Sequence, residues 1–201
     1  MLNLRLDFLY AGKVMKKWVT AIFVVTVFTL GGLQGSSLQK LSFTADEFID
    51  DFNSSSNTHR LVIVTSPTCP HCLKAIVELQ QILSDHPDGK IRVMLLWGPL
   101  MQTDTSSITR RSMQYIRDKR AVHYWDLWRW GYRTYTQNLS IPEFEAWDLF
   151  VFYEAGKTWE ENPPDPTFWM ENRKVEYGPP YSKDAMEEEL LKWIYQLTID
   201  D

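Results

Sequence analysis

The sequence is poor in cysteine. Its 201 residues include only two cysteines, and both belong to one Cys-Pro-His-Cys segment. A secreted protein that is held together by disulfides uses more cysteines, spaced far enough apart to connect distant loops. A structural zinc site needs about four ligands, and no second CxxC or HxxxH pattern supplies them. These absences exclude a disulfide scaffold and a zinc finger, and they direct attention to redox chemistry at Cys69 and Cys72.

An excess of positive charge is also missing. The formal net charge is −5 at pH 7, whereas proteins that bind nucleic acid normally carry a basic field. We therefore expect no nucleic-acid partner. The sequence also lacks a P-loop, a nucleophile elbow and an HExxH motif. Aromatic residues are abundant at 14%, which is enough apolar material for one well-formed core.

The N-terminal part reads as a targeting segment. Three lysines within residues 13–17 precede an apolar run over residues 18–33, and small residues follow. This order is typical of a secretory signal, and the run lies near the lower length limit of a spanning helix. We predict that residues 1–37 are a signal peptide or signal anchor, with translation starting at the first residue or at Met15. Residues 38–201 would then form a domain that is periplasmic, secreted or attached to the cell envelope.

Strand-like and helix-like segments alternate after the targeting segment. Alternation of this kind predicts an α/β fold with a partly parallel sheet that is covered on both faces. The predicted strands lie at residues 61–65, 91–97, 122–125, 148–153 and 157–159. The predicted helices lie at residues 44–52, 70–84, 106–119, 126–138 and from 182 onward.

The chemistry centres on Cys69, which lies where a buried strand has ended and a helix begins. Unpaired backbone N–H groups and the positive end of the helix dipole favour its thiolate, which is the attacking species. Pro70 suits the first helical position because its missing N–H costs nothing there. His71 can lower the pKa of the thiol further by adding positive charge. Cys72, one turn further along, is placed to resolve a mixed disulfide.

The segment Val-Ile-Val-Thr-Ser-Pro-Thr-Cys-Pro-His-Cys, which ends at Cys72, resembles the active-site segment of the thioredoxin superfamily. Its Cys-Pro-His-Cys motif is similar to that of DsbA-type oxidases. The order of elements is more similar to the TlpA/ResA branch, which inserts a helix and a strand before the last hairpin. Residues 122–126 would be the inserted strand. The resemblance implies a thioredoxin-like fold: a central mixed sheet flanked by helices, with an inserted helix-strand-helix segment before the final β-hairpin.

Two positions depart from the family pattern. Thioredoxins place a cis-proline directly before the strand that we predict at residues 148–153. The simplest alignment puts Trp147 there, and the nearest preceding proline is Pro142; both are candidates for the substrate groove. Many members also carry a buried acid six residues before the first cysteine, and this position is Ile63 here. A proton acceptor for Cys72 would therefore have to come from elsewhere.

The resemblance implies an enzyme, an extracytoplasmic thiol-disulfide oxidoreductase that acts in cell redox homeostasis. Cys69 would react with substrate and Cys72 would resolve the intermediate, with their own redox-active disulfide as the sole cofactor. The expected partners are protein thiols or disulfides and a membrane or soluble redox partner. The Cys-Pro-His-Cys motif favours an oxidant, whereas the TlpA/ResA-like order favours a reductant.

Two other functions stay open at this point. A soft-metal protein that binds or delivers copper would use Cys69 and Cys72 together with His71 or His123. A redox-inactive interaction module would instead use the aromatic residues between 124 and 135, which could form either core or an exposed groove.

Overall fold

The computed structural model describes residues 37–142, 147–173 and 177–196. The predicted targeting segment lies outside the described residues, apart from its last residue. Within the described ranges, none of the helices combines the length and the apolar character that crossing a membrane requires.

Six strands and five α-helices make up the described part of the chain. The strands are β1 (Leu38–Lys40), β2 (His59–Thr65), β3 (Ile91–Trp97), β4 (Ala121–Trp125), β5 (Leu149–Tyr153) and β6 (Phe168–Glu171). The helices are α1 (Asp46–Ser54), α2 (Pro70–Asp85), α3 (Ser106–Ser112), α4 (Trp130–Asn138) and α5 (Lys183–Gln196), with a short 3₁₀ turn at Met113–Tyr115.

All six strands form one sheet in the order β1-β4-β3-β2-β5-β6. The first four strands of this order run parallel, whereas β5 and β6 pair antiparallel at the other edge. Every residue of β2 is buried, which is typical of a central strand covered on both faces. The predicted fold class, a mixed sheet flanked by helices, is confirmed. That α3, β4 and α4 are an insertion relative to other proteins stays a prediction.

The two faces of the sheet carry different cores. On one face, Leu61 and Ile63 of β2 belong to a largely aliphatic cluster that includes residues of α2 and α5. On the other face, Val62 and Val64 belong to a cluster rich in aromatic rings from α1, β4, β5 and the loop after β5. Since side chains alternate along a strand, the unbroken apolar run of β2 supplies both cores.

The aromatic residues between 124 and 135 contribute mainly to the second core. Tyr124 and Tyr135 are completely buried. Trp128 is the exception within this segment, with 48% of its surface exposed, and its ring makes an edge contact with that of Phe43. The segment therefore forms core more than an open groove.

The predicted return strand at residues 157–159 is wrong, because the partner of β5 is β6, further along the chain. Trp159 is instead buried, with its ring centroid 5.4 Å from that of Phe52. The side chain of Asn53 accepts a hydrogen bond from the Trp159 N–H (2.7 Å) and donates one to its carbonyl (2.9 Å). These contacts use the backbone groups that strand pairing would need.

Candidate active site

A short, firmly held turn places the predicted cysteine pair. Strand β2 ends at Thr65, and after three intervening residues the chain enters α2 with Cys69 as its N-cap. The hydroxyl of Ser66 donates to the buried carboxylate of Asp104 (3.0 Å). The same carboxylate accepts the N–H groups of Leu100 and Met101, at 3.0 and 2.8 Å. Asp104 thus ties the turn before α2 to the loop that follows β3.

Cys69 has the features of an attacking thiol. Its sulfur accepts a hydrogen bond from the Cys72 N–H at 3.4 Å, and 8% of the residue is exposed. Contact with the Cys72 side chain, followed by the backbone N–H groups of Cys72 and His71 and the charge of His71, lowers the pKa of the Cys69 thiol to about 6, although burial opposes this. The thiolate therefore predominates at neutral pH, as the position at a helix start predicts.

The environment of the Cys72 thiol is opposite to that of Cys69. Cys72 is completely buried, and both thiols are free, so the structure is that of the reduced pair. Burial, the hydrogen bond with Cys69 and the nearby charge of Asp148 raise the pKa of the Cys72 thiol far above its ordinary value. The Cys69 thiol is therefore slightly exposed and ionises readily, whereas the Cys72 thiol is completely buried and stays protonated.

Asp148 is the site residue that the sequence did not reveal. Strand β5 begins at residue 149, so the residue directly before it is Asp148 and not Trp147, as the alignment predicted. Asp148 is 1% exposed, and its N–H donates to the carbonyl of Val64 on β2 (2.7 Å). A carboxylate oxygen of Asp148 and the sulfurs of Cys69 and Cys72 all lie within 4.8 Å of one another.

The Asp148 carboxyl group is only partly satisfied by its surroundings. Its Oδ2 accepts a hydrogen bond from the side-chain amide of Asn172 (2.9 Å), which also donates to the carbonyl of His71 (3.3 Å). Its Oδ1 is buried and has no hydrogen-bond partner among the described residues. Burial, and next the charge of Cys69, raise the pKa of Asp148 to about 7. This carboxyl group therefore changes its protonation state near neutral pH.

A cavity of about 470 Å³ opens beside the cysteine pair. Trp147 lines it, and the guanidinium carbon of Arg173 lies 3.6 Å from the centroid of the Trp147 ring. Pro142, the other predicted groove residue, is not part of the lining. The described residues contain no cis peptide bond. The cavity is lined by Cys69, Pro70, His71, Met101, Trp147, Asp148, Asn172 and Arg173.

The donor set predicted for a soft metal is not brought together. His123 is completely buried in β4, where its Nδ1 accepts a hydrogen bond from the indole N–H of Trp97 (3.1 Å). Burial lowers the pKa of His123 to about 4. His71 is exposed at the start of α2. Neither histidine joins the two sulfurs in a group of three ligand-type atoms within the described ranges.

Comparisons with known proteins find similarity in structure. No protein-family model matches the chain, and no curated protein matches its sequence. A secreted disulfide oxidoreductase of Mycobacterium tuberculosis, described as homologous to E. coli DsbE, is 14% identical and covers 69% of this chain and 84% of its own, with a TM-score of 0.47. MTB DsbF, in mixed oxidised and reduced forms, is 12% identical and covers 70% and 84%, with a TM-score of 0.46.

A thioredoxin-like protein whose solution structure is of the oxidised form is 10% identical and covers 84% of this chain and 93% of its own, with a TM-score of 0.47. In this chain the CxxC pair stands at the start of the helix that follows β2, at the centre of a mixed sheet. This arrangement of the sheet, the helices and the cysteine pair is the one predicted from the sequence.

Proposed function

We propose that the chain is a thiol-disulfide oxidoreductase that exchanges disulfides with protein thiols through Cys69 and Cys72. The unequal environment of the two thiols carries this proposal. Cys69 borders a cavity and has a pKa lowered to about 6, whereas Cys72 is completely buried and its pKa is raised. A disulfide that served only to stabilise the fold would need no such difference, and a loop of four residues would constrain the unfolded chain little.

The exchange proceeds in two displacements. In the direction that oxidises the pair, the Cys69 thiolate attacks one sulfur of a substrate disulfide, and the other substrate sulfur leaves as a thiolate. Cys72 then loses its proton and attacks the Cys69 sulfur. The Cys69–Cys72 bond forms, and the second substrate sulfur leaves as a thiolate. Two electrons pass from the pair to the substrate, and every step reverses when the disulfide form meets a substrate dithiol.

The environment of Cys69 favours the role of oxidant. Folding lowers the pKa of this thiol, so the reduced form gains a stability that is present above the ordinary thiol pKa and is lost as the pH falls through about 6. At pH 7, about one unit above the lowered pKa, about a third of this stabilisation remains. A stabilised reduced form makes the disulfide form a better donor of disulfides.

We further propose that this chemistry takes place outside the cytoplasm, on the basis of the N-terminal signal pattern. The substrates would be reduced protein thiols, and a membrane or soluble redox partner would restore the Cys69–Cys72 disulfide. The apolar side chains of Met101 and Trp147 in the cavity lining provide a surface for the residues that flank a substrate cysteine.

The reduction potential of the full-length chain tests the proposal. We expect equilibration with glutathione, under metal-free conditions, to give a value nearer to about −120 mV than to about −270 mV. The Cys69→Ser/Cys72→Ser double variant is the control for mixed disulfides formed elsewhere. A value near −270 mV would reverse the direction to that of a reductant, and failure to form any intramolecular disulfide would overturn the function altogether.

A further inference from the structure

We propose that the Asp148 carboxylate takes the proton from the Cys72 thiol when the mixed disulfide on Cys69 is resolved, and that it returns this proton in the reverse direction. The inference rests on the exchange reaction proposed above. It assigns a catalytic role to a residue that lies far from the cysteines in the sequence.

The need for a proton acceptor follows from burial. Cys72 is completely buried, so bulk water does not reach its thiol in this structure, and its raised pKa disfavours spontaneous ionisation. The position in the preceding strand where a buried acid would be expected from the family resemblance is Ile63, which is apolar. A resolving thiol in this setting needs a base within its own cavity.

Asp148 is placed to be that base. Its carboxylate lies within 4.8 Å of both sulfurs, and the Cys72 side chain is close enough to lower its pKa. The buried carboxylates of Asp104 and Asp126 are occupied differently, because each accepts two backbone N–H groups. Asp148 Oδ1 has no hydrogen-bond partner among the described residues and is therefore available to receive a proton.

The groups around Asp148 adjust its readiness to accept a proton. The two cysteines face it from α2, and Asn172 and Arg173 face it from the segment after β6. From the segment before α5, the phenol of Tyr181 is close enough for Asp148 to influence its pKa, and this phenol donates to Glu78 of α2 at 2.7 Å. Arg173 favours the carboxylate, whereas burial favours the neutral acid.

The charge of Cys69 sets the order of the steps. In the resting reduced pair, the Cys69 thiolate helps to keep Asp148 protonated. Once Cys69 is bonded to a substrate sulfur, this negative charge is gone, and the carboxylate form of Asp148 becomes more favourable. The base therefore becomes available at the step in which Cys72 must lose its proton. The proton passes to Asp148, and the electron pair of the S–H bond becomes the nucleophile that forms the Cys69–Cys72 bond.

The two steps can be followed separately with one equivalent of 5,5′-dithiobis(2-nitrobenzoate) added to the reduced full-length chain. Attack by Cys69 releases the first thionitrobenzoate, and closure by Cys72 releases the second. We expect Asp148→Asn to slow the second release by about 10²-fold near neutral pH, which is the size of a typical general-base contribution. The first release should not become slower, because the substitution removes a negative charge near Cys69 and none of the groups that lower the pKa of its thiol.

The pH profile separates a proton acceptor from a structural residue. In the unsubstituted chain, the second release should level off as the carboxyl group ionises, whereas in Asp148→Asn it should rise with hydroxide concentration throughout. Asparagine keeps the size of the side chain and tolerates the left-handed backbone, with φ of 60° at this residue. Asp126→Asn makes the same chemical change at another buried carboxylate and should leave both releases unaltered.

Each outcome has a definite meaning. Equal pH profiles of the second release in the unsubstituted chain and in Asp148→Asn would overturn the role of Asp148 and leave the proposed function intact. A chain that releases no second thionitrobenzoate even without substitution would overturn the proposed function itself. The Cys72→Ser variant, which must stop after the first release, identifies the closure step.

Discussion

The two ends of helix α2 differ in how completely their polar groups are paired. At the carboxyl end, Arg120 is 9% exposed, and its guanidinium uses all of its N–H groups. They bind the carbonyls of Leu83, His86 and Gly89 and both carboxylate oxygens of Asp118. At the amino end, the backbone N–H groups meet the sulfur of a reactive thiol, and a neighbouring carboxylate oxygen has no hydrogen-bond partner in the described part of the chain.

A helix dipole favours positive charge at its carboxyl end and negative charge at its amino end. In α2, a fully paired arginine meets the first preference, and this arrangement leaves no N–H group of the arginine free to bind a substrate. A thiolate meets the second preference, and a thiolate can form and break bonds. The difference teaches that complete pairing of buried polar groups marks a structural centre, whereas incomplete pairing marks a centre with chemistry.

The largest effect is expected when the reactive thiol at the amino end of α2 is removed. Cys69→Ser should lower the rate of disulfide exchange by at least about 10³-fold, because a hydroxyl does not ionise near neutral pH and is a weak nucleophile. The free energy of unfolding should change little, since serine is itself a favoured N-cap residue. Exchange with glutathione disulfide and urea unfolding measure the two quantities. Exchange that persisted at the normal rate would contradict the assignment of Cys69.

Removing the paired arginine at the carboxyl end of α2 should instead destabilise the fold and leave the pKa of the Cys69 thiol low. Arg120→Met leaves three carbonyls and the carboxylate of Asp118 without their partner, which should lower the free energy of unfolding by about 3–5 kcal/mol. The control is Arg111→Met, a change at an exposed arginine, which should cost less than about 0.5 kcal/mol. The pKa of the Cys69 thiol in folded Arg120→Met should stay low. A large rise in that pKa would mean that the two ends are not independent.

The two ends should also respond oppositely to pH. Burial alone would raise the pKa of Asp118, but hydrogen bonds from Arg120 outweigh burial and lower it. Asp118 therefore contributes stability that is present above its unfolded pKa of about 3.9 and is lost as the pH falls below that value. Asp148 has a raised pKa, so its contribution is present below about pH 3.9 and is lost as the pH rises through about 7.

Urea unfolding of the reduced chain over this range measures both contributions, at about 1.4 kcal/mol for each unit of pKa difference. Asp118→Asn should reduce the loss of stability in acid, and Asp148→Asn should reduce the loss between about pH 4 and about pH 7. If Asp148→Asn left the decrease in the free energy of unfolding between about pH 4 and about pH 7 unchanged, the Asp148 carboxyl group would not titrate in this range.

The smallest expected effect concerns His71. Its charge is the weakest of the causes that lower the pKa of the Cys69 thiol, and its backbone N–H would stay after substitution. His71→Ala should therefore raise this pKa by less than one unit, which corresponds to a change in potential of less than about 30 mV. Thiolate absorbance during a pH titration measures it. A larger rise would show that the imidazolium, and not the helix start, controls the thiol.

The sequence predicts the amino end of α2 well because its signals are local. A buried strand, a short turn, the CxxC motif and helical spacing all fall within the residues that build this corner. Asp148 could not be predicted in the same way, since the pairing of β5 with β2 brings it to the cysteines, and an alignment error of one residue hid it. An acidic residue directly before an apolar strand was the available signal.

Arg120 shows the same limit at the other end. The predicted helix at residues 106–119 ends directly before it, and no local pattern places Arg120 against α2. In the structure α3 ends at Ser112, and the chain runs through a 3₁₀ turn to β4, which brings Arg120 against α2. Strand β1 was missed because it has three residues and is defined by its pairing with β4. Tertiary contacts fixed these elements.

The backbone at Asp148 also limits how this position can evolve. A residue there needs a left-handed conformation and an N–H for the carbonyl of Val64. Proline supplies neither, because its ring fixes φ near −65° and its nitrogen carries no hydrogen. Asparagine and glycine satisfy both requirements, and each is a single nucleotide change from an aspartate codon. A lineage with this backbone can therefore lose the carboxylate in one mutation, whereas replacing it with proline would require the entry to β5 to be rebuilt first.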